Sequence, residues 1–208
     1  MHEGIAGGTD DELMAEAAIR TEAWIEVVPE DEADGLLAEL YERERVPQTG
    51  AVDNILKIHS LHPETLRDHA ELYKTLMFGK GGLSRPEREM IGLIVSAVNH
   101  CYYCLRHHAV SLGRLTERTR PGFAEGVERD FASADMTPRE RAISDYVVKL
   151  TLTPWEMRRS DLQPMRGEGL SDRDILDANL TASYYAYVNR IADGLGVGVE
   201  GGDEKIGW

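Results

Sequence analysis

The stretch LSRPEREMIGLIVSAVNHCYYCLRHHAVS, residues 83–111, contains the only two cysteines of this 208-residue chain. Cys101 and Cys104 form a C-x-x-C pair, and His108 follows four residues after the second cysteine. If the residues after Cys101 are helical, Cys101 and His108 are about two turns apart on one face, and Cys104 lies about 60° from Cys101 and about 40° from His108. Two thiols and an imidazole rarely share a helix face merely because they fill a core. The stretch therefore predicts a site at which these side chains take part in a reaction.

Two helices are predicted within this stretch. Ser84 with Glu87 three residues later has the capping-box pattern that begins a helix. Residues 90–98 are almost all apolar, which predicts a helix buried on every side, within the chain or against another subunit. The second helix, which begins after Cys101, is expected to stop near Gly113.

Glu89 is a further candidate for the site, twelve residues before Cys101. On one straight helix the two residues would be about 18 Å apart, which is too far for contact. Glu89 therefore reaches the cysteines only if the chain folds back near residue 100, or if two subunits share one pocket. Glu87 competes for this role, but its place in the capping box predicts a structural function instead.

Composition restricts the classes of partner and compartment. The formal net charge of −14 and the pI of about 4.9 disfavour nucleic acids and anionic membranes as partners. No stretch approaches the roughly 18 apolar residues of a membrane span, and the N-terminus lacks the pattern of a secretory signal. Two cysteines cannot form a disulfide framework, so we expect a cytoplasmic protein with a redox pair.

Apolar spacing and capping residues elsewhere predict an all-α chain, because no run of alternating β-branched residues occurs. Residues 1–22 are expected to form a mobile arm, with a short helix over Asp11–Arg20, and residues 200–208 an irregular tail. The other predicted helices cover Glu32–Arg45, Asn54–Leu61, Pro63 to about residue 78, Gly122–Ser133, Thr137–Leu150, Arg159–Glu168 and Asp172–Ala192.

Glu89, Cys101, Cys104 and His108 follow the pattern E-x11-C-x2-C-x3-H, which resembles the alkylhydroperoxidase D-like family of the carboxymuconolactone decarboxylase superfamily. The chain is most similar to the branch called peroxidase-related proteins. The resemblance implies an all-α domain over residues 23–199 with seven to nine helices, a redox motif at 84–113, and a homo-oligomer (dimer, trimer or hexamer). It extends to flanking residues, which are Trp24, Ile25, Gly35, Tyr41, Leu61–Glu64, Arg88, Asn99, Tyr103, His107 and Asn189–Asp193.

The same resemblance implies roles for the four residues. Cys104 would attack a peroxide and become a sulfenic acid, Cys101 would resolve it as a disulfide, and Glu89 with His108 would relay protons. The implied substrates are hydrogen peroxide or small organic hydroperoxides, and the reductant is an external dithiol or a lipoyl-bearing partner. No cofactor beyond the disulfide and no metal is implied.

Three more residues are expected close to the site rather than in it. Tyr103 stands where the best-known members of the family have a histidine. His107 points about 100° away from His108 on the helix and is expected in a supporting position or at the surface. Asn99 lies at the break before the cysteines.

Other interpretations of these residues remain open at this point. The cysteines could be buried small hydrophobes, or Cys101, Cys104 and His108 could supply three ligands of a structural zinc site. The protein could also be a redox-responsive oligomer without turnover, or a decarboxylase-like enzyme on the same scaffold. The remaining aromatic and imidazole side chains are expected to serve packing or the surface, and these are His59, His62, His69, Tyr184, Tyr185 and Tyr187.

Overall fold

The structure is a computed structural model that describes residues 9–20, 23–47, 49–201 and 206. These residues form ten α-helices and two 3₁₀ turns (Pro154–Glu156 and Arg159–Leu162), and no strand occurs among them. The predicted all-α class is therefore confirmed, with one helix more than the seven to nine expected. The helices are α1 Asp10–Ala18, α2 Gly35–Arg43, α3 Asn54–Lys57, α4 Pro63–Phe78, α5 Arg85–Val98, α6 Tyr102–Thr116, α7 Phe123–Asp130, α8 Pro138–Leu152, α9 Gln163–Gly167 and α10 Asp172–Leu195.

Capping boxes begin three of the central helices. At the start of α5, the Glu87 carboxylate accepts the Ser84 backbone N–H at 2.7 Å, and the Ser84 hydroxyl accepts the Glu87 N–H at 3.3 Å. Thr137 and Ser171 start α8 and α10 in the same way. Each box pairs two N–H groups that a helix start would otherwise leave without partners. The structural role predicted for Glu87 is thus confirmed.

Several predicted boundaries shift. Helix α6 does not stop at Gly113 but continues to Thr116, because Leu112 and Thr116 are buried and the Thr116 hydroxyl donates to the Leu112 carbonyl at 2.7 Å. Helix α2 begins at Gly35 rather than at residue 32, since residues 29–32 form a turn. The segment predicted as one helix over 159–168 divides into a 3₁₀ turn followed by α9.

Helix α5 lies at the centre of the molecule. Every residue from Glu87 to Ser96 is buried, and α6, α8 and α10 pack around the helix. This confirms the burial predicted from the apolar run. The chain's own helices bury the apolar surface of α5, so this burial does not require a second subunit. The homo-oligomer stays a prediction.

A tight reversal joins α5 to α6 and folds one helix back along the other. His100 has a φ of 57°, a left-handed conformation that only a few per cent of non-glycine residues adopt. The Cys101 N–H donates to the Ser96 carbonyl at 2.9 Å. The Asn99 amide donates to Asn189 on α10 at 2.8 Å, which fixes the reversal to a third helix. Asn99, expected near the site, therefore supports the turn.

Gly92 is the point of closest approach between α5 and its neighbours. A Cβ atom at this position would lie 2.9 Å from Cε1 of His108 on α6 and 2.9 Å from Cε2 of Tyr185 on α10. Carbon atoms in contact prefer about 3.5–4.0 Å. Glycine at this position therefore allows α6 and α10 to pack directly on α5.

The two ends of the chain are only partly described. Helix α1, capped by Thr9, agrees with the short helix expected in the arm, whereas residues 1–8 and 21–22 lie outside the described part and the arm's mobility stays a prediction. Near the other end, Ile206 is buried and its carbonyl accepts Arg114 at 2.7 Å. None of the helices in the described ranges combines the length and apolar character needed to span a membrane.

We predict that Gly92→Ala destabilises the protein by about 1–3 kcal/mol, the usual cost of overpacking a core. The added methyl group must displace the His108 or Tyr185 ring, and this outweighs the better helix propensity of alanine. Urea unfolding provides the measurement. Gly194→Ala on α10 is the matched control, because its Cβ meets nothing within 4 Å, and it should raise stability by up to about 1 kcal/mol. Equal effects of the two substitutions would contradict the close approach.

Candidate active site

Glu89 and His108 meet in the interior of a single chain. The Glu89 carboxylate lies 2.6 Å from Nδ1 of His108, and the Glu89 side chain is only 1% exposed. Because an ionised carboxylate only accepts hydrogen bonds, this contact places a proton on Nδ1. Of the two routes by which Glu89 could reach the cysteines, the fold-back near residue 100 is therefore the one observed.

Arg85 holds the other oxygen of Glu89. Its guanidinium nitrogen lies 2.5 Å from Oε1 of Glu89, four residues further along the same helix. The guanidinium also donates to the Tyr73 hydroxyl at 3.3 Å and covers the Phe78 ring at 3.9 Å. A buried carboxylate is costly without a cation, so Arg85 keeps Glu89 charged beside His108. We did not anticipate this residue, although its i, i+4 spacing from Glu89 was a signal.

Both cysteines are buried free thiols at the start of α6. Cys101 is the N-cap residue, and Cys104 lies in the first turn. A hydrogen bond with Cys104, followed by burial and the nearby Asp193 carboxylate, raises the pKa of Cys101 well above its usual value. Cys101 thus keeps its proton and can donate it toward the Cys104 sulfur. Asp193 was not predicted near the site.

A cavity of about 320 Å³ opens on one side of the pair. Cys104 and His108 line it, together with His107 and Tyr103, whereas Cys101 and Glu89 lie behind its wall. The two sulfur atoms are therefore not equivalent. Cys104 meets whatever enters the cavity, and Cys101 is placed to meet Cys104.

Aromatic rings form much of the cavity wall. Tyr184, Tyr185 and His69 are buried, as a packing role predicts, and all three also line the cavity. The Tyr184 hydroxyl lies 3.0 Å from Nε2 of His69, and burial lowers the pKa of His69 to about 3, which leaves the ring neutral. Tyr187 is half-exposed and does not line the cavity.

Charged side chains surround the cavity mouth. Glu44 contacts Lys74 at 2.8 Å and Arg43 at 2.7 Å, and Arg45 contacts Glu30 at 2.5 Å. The three cations and Glu44 all line the cavity. The site is thus an apolar cavity bordered by paired charges, because Glu71 and Glu42 also contact Arg43 and Arg45.

His107 and Tyr103 line the cavity and also belong to a second cluster, which includes Glu200. Nε2 of His107 lies 2.9 Å from Oε2 of Glu200, and the Tyr103 hydroxyl donates to Oε1 of Glu200 at 3.0 Å. Both residues were expected near the site, but His107 is buried rather than at the surface. Glu200 and the neighbouring Asp53 were missed, because they are far from residue 107 in the sequence.

Comparison with known proteins places the fold. The carboxymuconolactone decarboxylase family model matches residues 63–115, which include α5 and the cysteine pair. No curated protein matches the chain significantly.

Solved structures give wider matches. An uncharacterised peroxidase-related protein from Ralstonia eutropha JMP134, described as an alkylhydroperoxidase AhpD core, is 27% identical with a TM-score of 0.78 over 86% of this chain and 92% of its own. An uncharacterised peroxidase-related protein from Silicibacter sp. TM1040 is 29% identical with a TM-score of 0.76, over 86% of this chain and 93% of its own. The debrominase Bmp8, in a complex of one of its variants with 2,3,4-tribromopyrrole, shares the fold alone, at 13% identity and a TM-score of 0.73 over 90% of this chain and 97% of its own.

The family match covers the helix and motif that form the site, and the structural matches cover most of both chains. The described helices are arranged like the helices of those neighbouring structures. Over residues 63–115 the chain is similar to the carboxymuconolactone decarboxylase family, and its helical fold is that of the AhpD-like neighbours.

Proposed function

We propose that the protein is a thiol-dependent peroxidase that reduces organic hydroperoxides through a Cys101–Cys104 disulfide. One observation carries the proposal. Cys104 and His108 line the same cavity, and His108 is held from behind by the charged Glu89 carboxylate at 2.6 Å. A nucleophile, a base and a group that orients the base are the parts that thiol catalysis requires.

In the first step, the Cys104 thiolate attacks the terminal oxygen of the hydroperoxide R–O–OH. The S–O bond forms while the O–O bond breaks, and the leaving alkoxide takes a proton to become the alcohol ROH. Cys104 is left as a sulfenic acid. His108 is the group that first removes the Cys104 proton and then returns it to the leaving oxygen.

In the second step, the Cys101 sulfur attacks the sulfur of the Cys104 sulfenic acid. The S–S bond forms, the S–O bond breaks, and water leaves. The proton that Cys101 loses must reach the leaving hydroxide to make this water, and the Asp193 carboxylate beside Cys101 is a nearby group that can accept it and pass it on. An external dithiol then reduces the disulfide by thiol–disulfide exchange and supplies the two electrons of the cycle.

The Glu89 carboxylate has a specific part in this cycle. It fixes the proton of His108 on Nδ1, which leaves Nε2 available for proton exchange. It also stabilises the positive imidazolium that forms when His108 takes up a second proton. Hydrogen bonds to a buried charge are worth about 1.5–3 kcal/mol.

The cavity favours an organic substrate over hydrogen peroxide itself. Its volume of about 320 Å³ far exceeds that of hydrogen peroxide, which is close in size to a water molecule of about 30 Å³. Its wall contains Ile55, Leu56, Ala70 and Val188 as well as the tyrosines. An apolar or aromatic hydroperoxide would fill this space.

A second candidate is a redox-responsive protein without turnover. The observation in its favour is the burial of both thiols, since Cys101 is 0% and Cys104 2% exposed. Sustained consumption of peroxide with a dithiol reductant separates the two, because a switch reacts once and stops. A decarboxylase-like activity would instead consume a carboxylate substrate without any peroxide.

We predict that Cys104→Ser abolishes hydroperoxide consumption, because the sulfur that faces the cavity is lost. Cys101→Ser should consume one equivalent and stop, with a sulfenic acid trapped on Cys104 that a dimedone-type reagent labels. Cumene hydroperoxide consumption is the assay, with dithiothreitol as reductant for the wild type and Cys104→Ser and without any dithiol for Cys101→Ser, because a dithiol reduces a sulfenic acid directly. Wild-type turnover by Cys104→Ser would contradict the assignment.

We predict that Glu89→Gln lowers kcat/KM for the hydroperoxide by about 100-fold, within the range of general acid–base effects. Glutamine still accepts the Nδ1 proton of His108 but carries no charge, so the change tests the charge rather than the orientation.

Glu87→Gln is the matched control for this prediction, two residues away on the same helix. Glutamine can still accept the Ser84 N–H of the capping box, so only the ionic contact with Arg139 is weakened, which should cost about 0.2–1 kcal/mol of stability without changing the rate. Similar rate losses in both variants would show that Glu89 is structural.

We predict that Val188→Phe, which fills part of the cavity, lowers kcat/KM for cumene hydroperoxide at least 10-fold and changes that for hydrogen peroxide less than about 3-fold. Val148→Phe on α8, which lies away from the cavity, is the control and should affect neither substrate. An equal loss with both peroxides would indicate a distorted site rather than a size-selective cavity.

A further inference from the structure

Three residues that are distant in the sequence converge beside the first turns of α6. Asp53 precedes α3, His107 lies on α6, and Glu200 follows α10. One oxygen of each carboxylate and one nitrogen of His107 all lie within 4.8 Å of one another. Asp53 is 2% and His107 5% exposed, so the cluster is in the interior.

The orientation of His107 leaves one ring nitrogen without a satisfactory partner. Nδ1 lies 2.9 Å from the Tyr103 backbone carbonyl, which can only accept, so Nδ1 carries the proton. Nε2 then faces Oε2 of Glu200 at 2.9 Å, and neither atom makes a well-aligned hydrogen bond within the described part of the chain. A proton or a metal ion between these two atoms would satisfy both of them.

Asp53 adds a second unbalanced group. Its Oδ2 atom is buried and accepts no hydrogen bond from any described residue. The nearby Lys57 ammonium pairs instead with Glu30 at 2.9 Å. Burial is the main cause that raises the pKa of Asp53 to about 6. Burial lowers the pKa of His107, but the Glu200 carboxylate beside it raises it to about 9.

The rest of Glu200 is held as a metal-binding carboxylate usually is. Its Oε1 atom accepts the Asn54 backbone N–H at 2.6 Å and the Tyr103 hydroxyl at 3.0 Å. Both donors orient the carboxylate and leave Oε2 directed at His107. Outer contacts of this kind, including a His Nδ1–H on a backbone carbonyl, position the ligands of metal sites.

We propose that Asp53, His107 and Glu200 bind one divalent first-row metal ion, with Zn²⁺ preferred over Mn²⁺. An imidazole nitrogen with two carboxylate oxygens suits this class of ion, and the absence of thiolate from the set disfavours Cu⁺. Bonds of about 2.0–2.2 Å place ligand atoms about 3–4 Å apart, so binding needs only small rotations of the three side chains. The proposal is independent of the peroxidase function.

A metal at this position would link three separate parts of the chain. It would join the segment that carries Glu200 to α6, one turn after Cys104, and to the start of α3. The ion would therefore stabilise the native state by an amount that grows with its free concentration.

The test must exclude binding to the thiols, so it uses the full-length chain with Cys101→Ser and Cys104→Ser. After chelator treatment, this protein is titrated with Zn²⁺ in a calorimeter, and the melting temperature is measured in parallel. We expect one ion per chain and a higher melting temperature. Asp53→Asn and Glu200→Gln, each added to the same background, should weaken binding at least 10-fold and remove the thermal shift.

Glu30→Gln is the matched control, because Glu30 is a partly buried carboxylate in the same region that pairs with Lys57 and Arg45. It should retain both binding and the thermal shift. Circular dichroism identifies any variant that fails to fold. If Asp53→Asn does not fold, the binding measured for Glu200→Gln decides whether the site exists. No saturable binding, or undiminished binding in Asp53→Asn and Glu200→Gln, would overturn the proposal.

Discussion

The hydrogen bond between Glu89 and His108 is the constraint on which the site depends. It joins two helices that follow each other in the chain, and it places a charged carboxylate in the most deeply buried part of the molecule. That charge is tolerable only with compensation, which Arg85 supplies at 2.5 Å. The left-handed turn at His100 reverses the chain, and Gly92 lets the two helices approach closely enough for the contact.

This geometry makes the two cysteines chemically different. Cys104 lies on the cavity with His108, whereas Cys101 lies behind it, with a raised pKa and Asp193 at its side. This difference fits a reaction in two ordered steps. Cys104 is open to the substrate and reacts first, and the protonated Cys101 thiol behind it reacts second. Similar solved proteins share the fold, but a shared fold does not decide the reaction, since a debrominase also has it.

Much of the fold could be predicted from the sequence, because the start of a helix depends on a few residues that are close together in the chain. Ser84 with Glu87 marks the start of its helix correctly, and the E-x11-C-x2-C-x3-H spacing identified the four residues of the site. The cavity wall and the second cluster could not be predicted. Tyr184 and Glu200 reach α4 and α6 only through the packing of α10, and no local spacing reports contacts between such distant residues.

The most direct test of the account is the intact mass of the reduced wild-type protein before and after one equivalent of cumene hydroperoxide, with free thiols counted in parallel. The account predicts that the mass falls by two hydrogens, that both thiols disappear together, and that one equivalent of alcohol forms. An unchanged mass with both thiols still open to alkylation after the peroxide has been present for minutes would contradict it. In that case the buried pair would have a structural role, and the scaffold would serve another reaction.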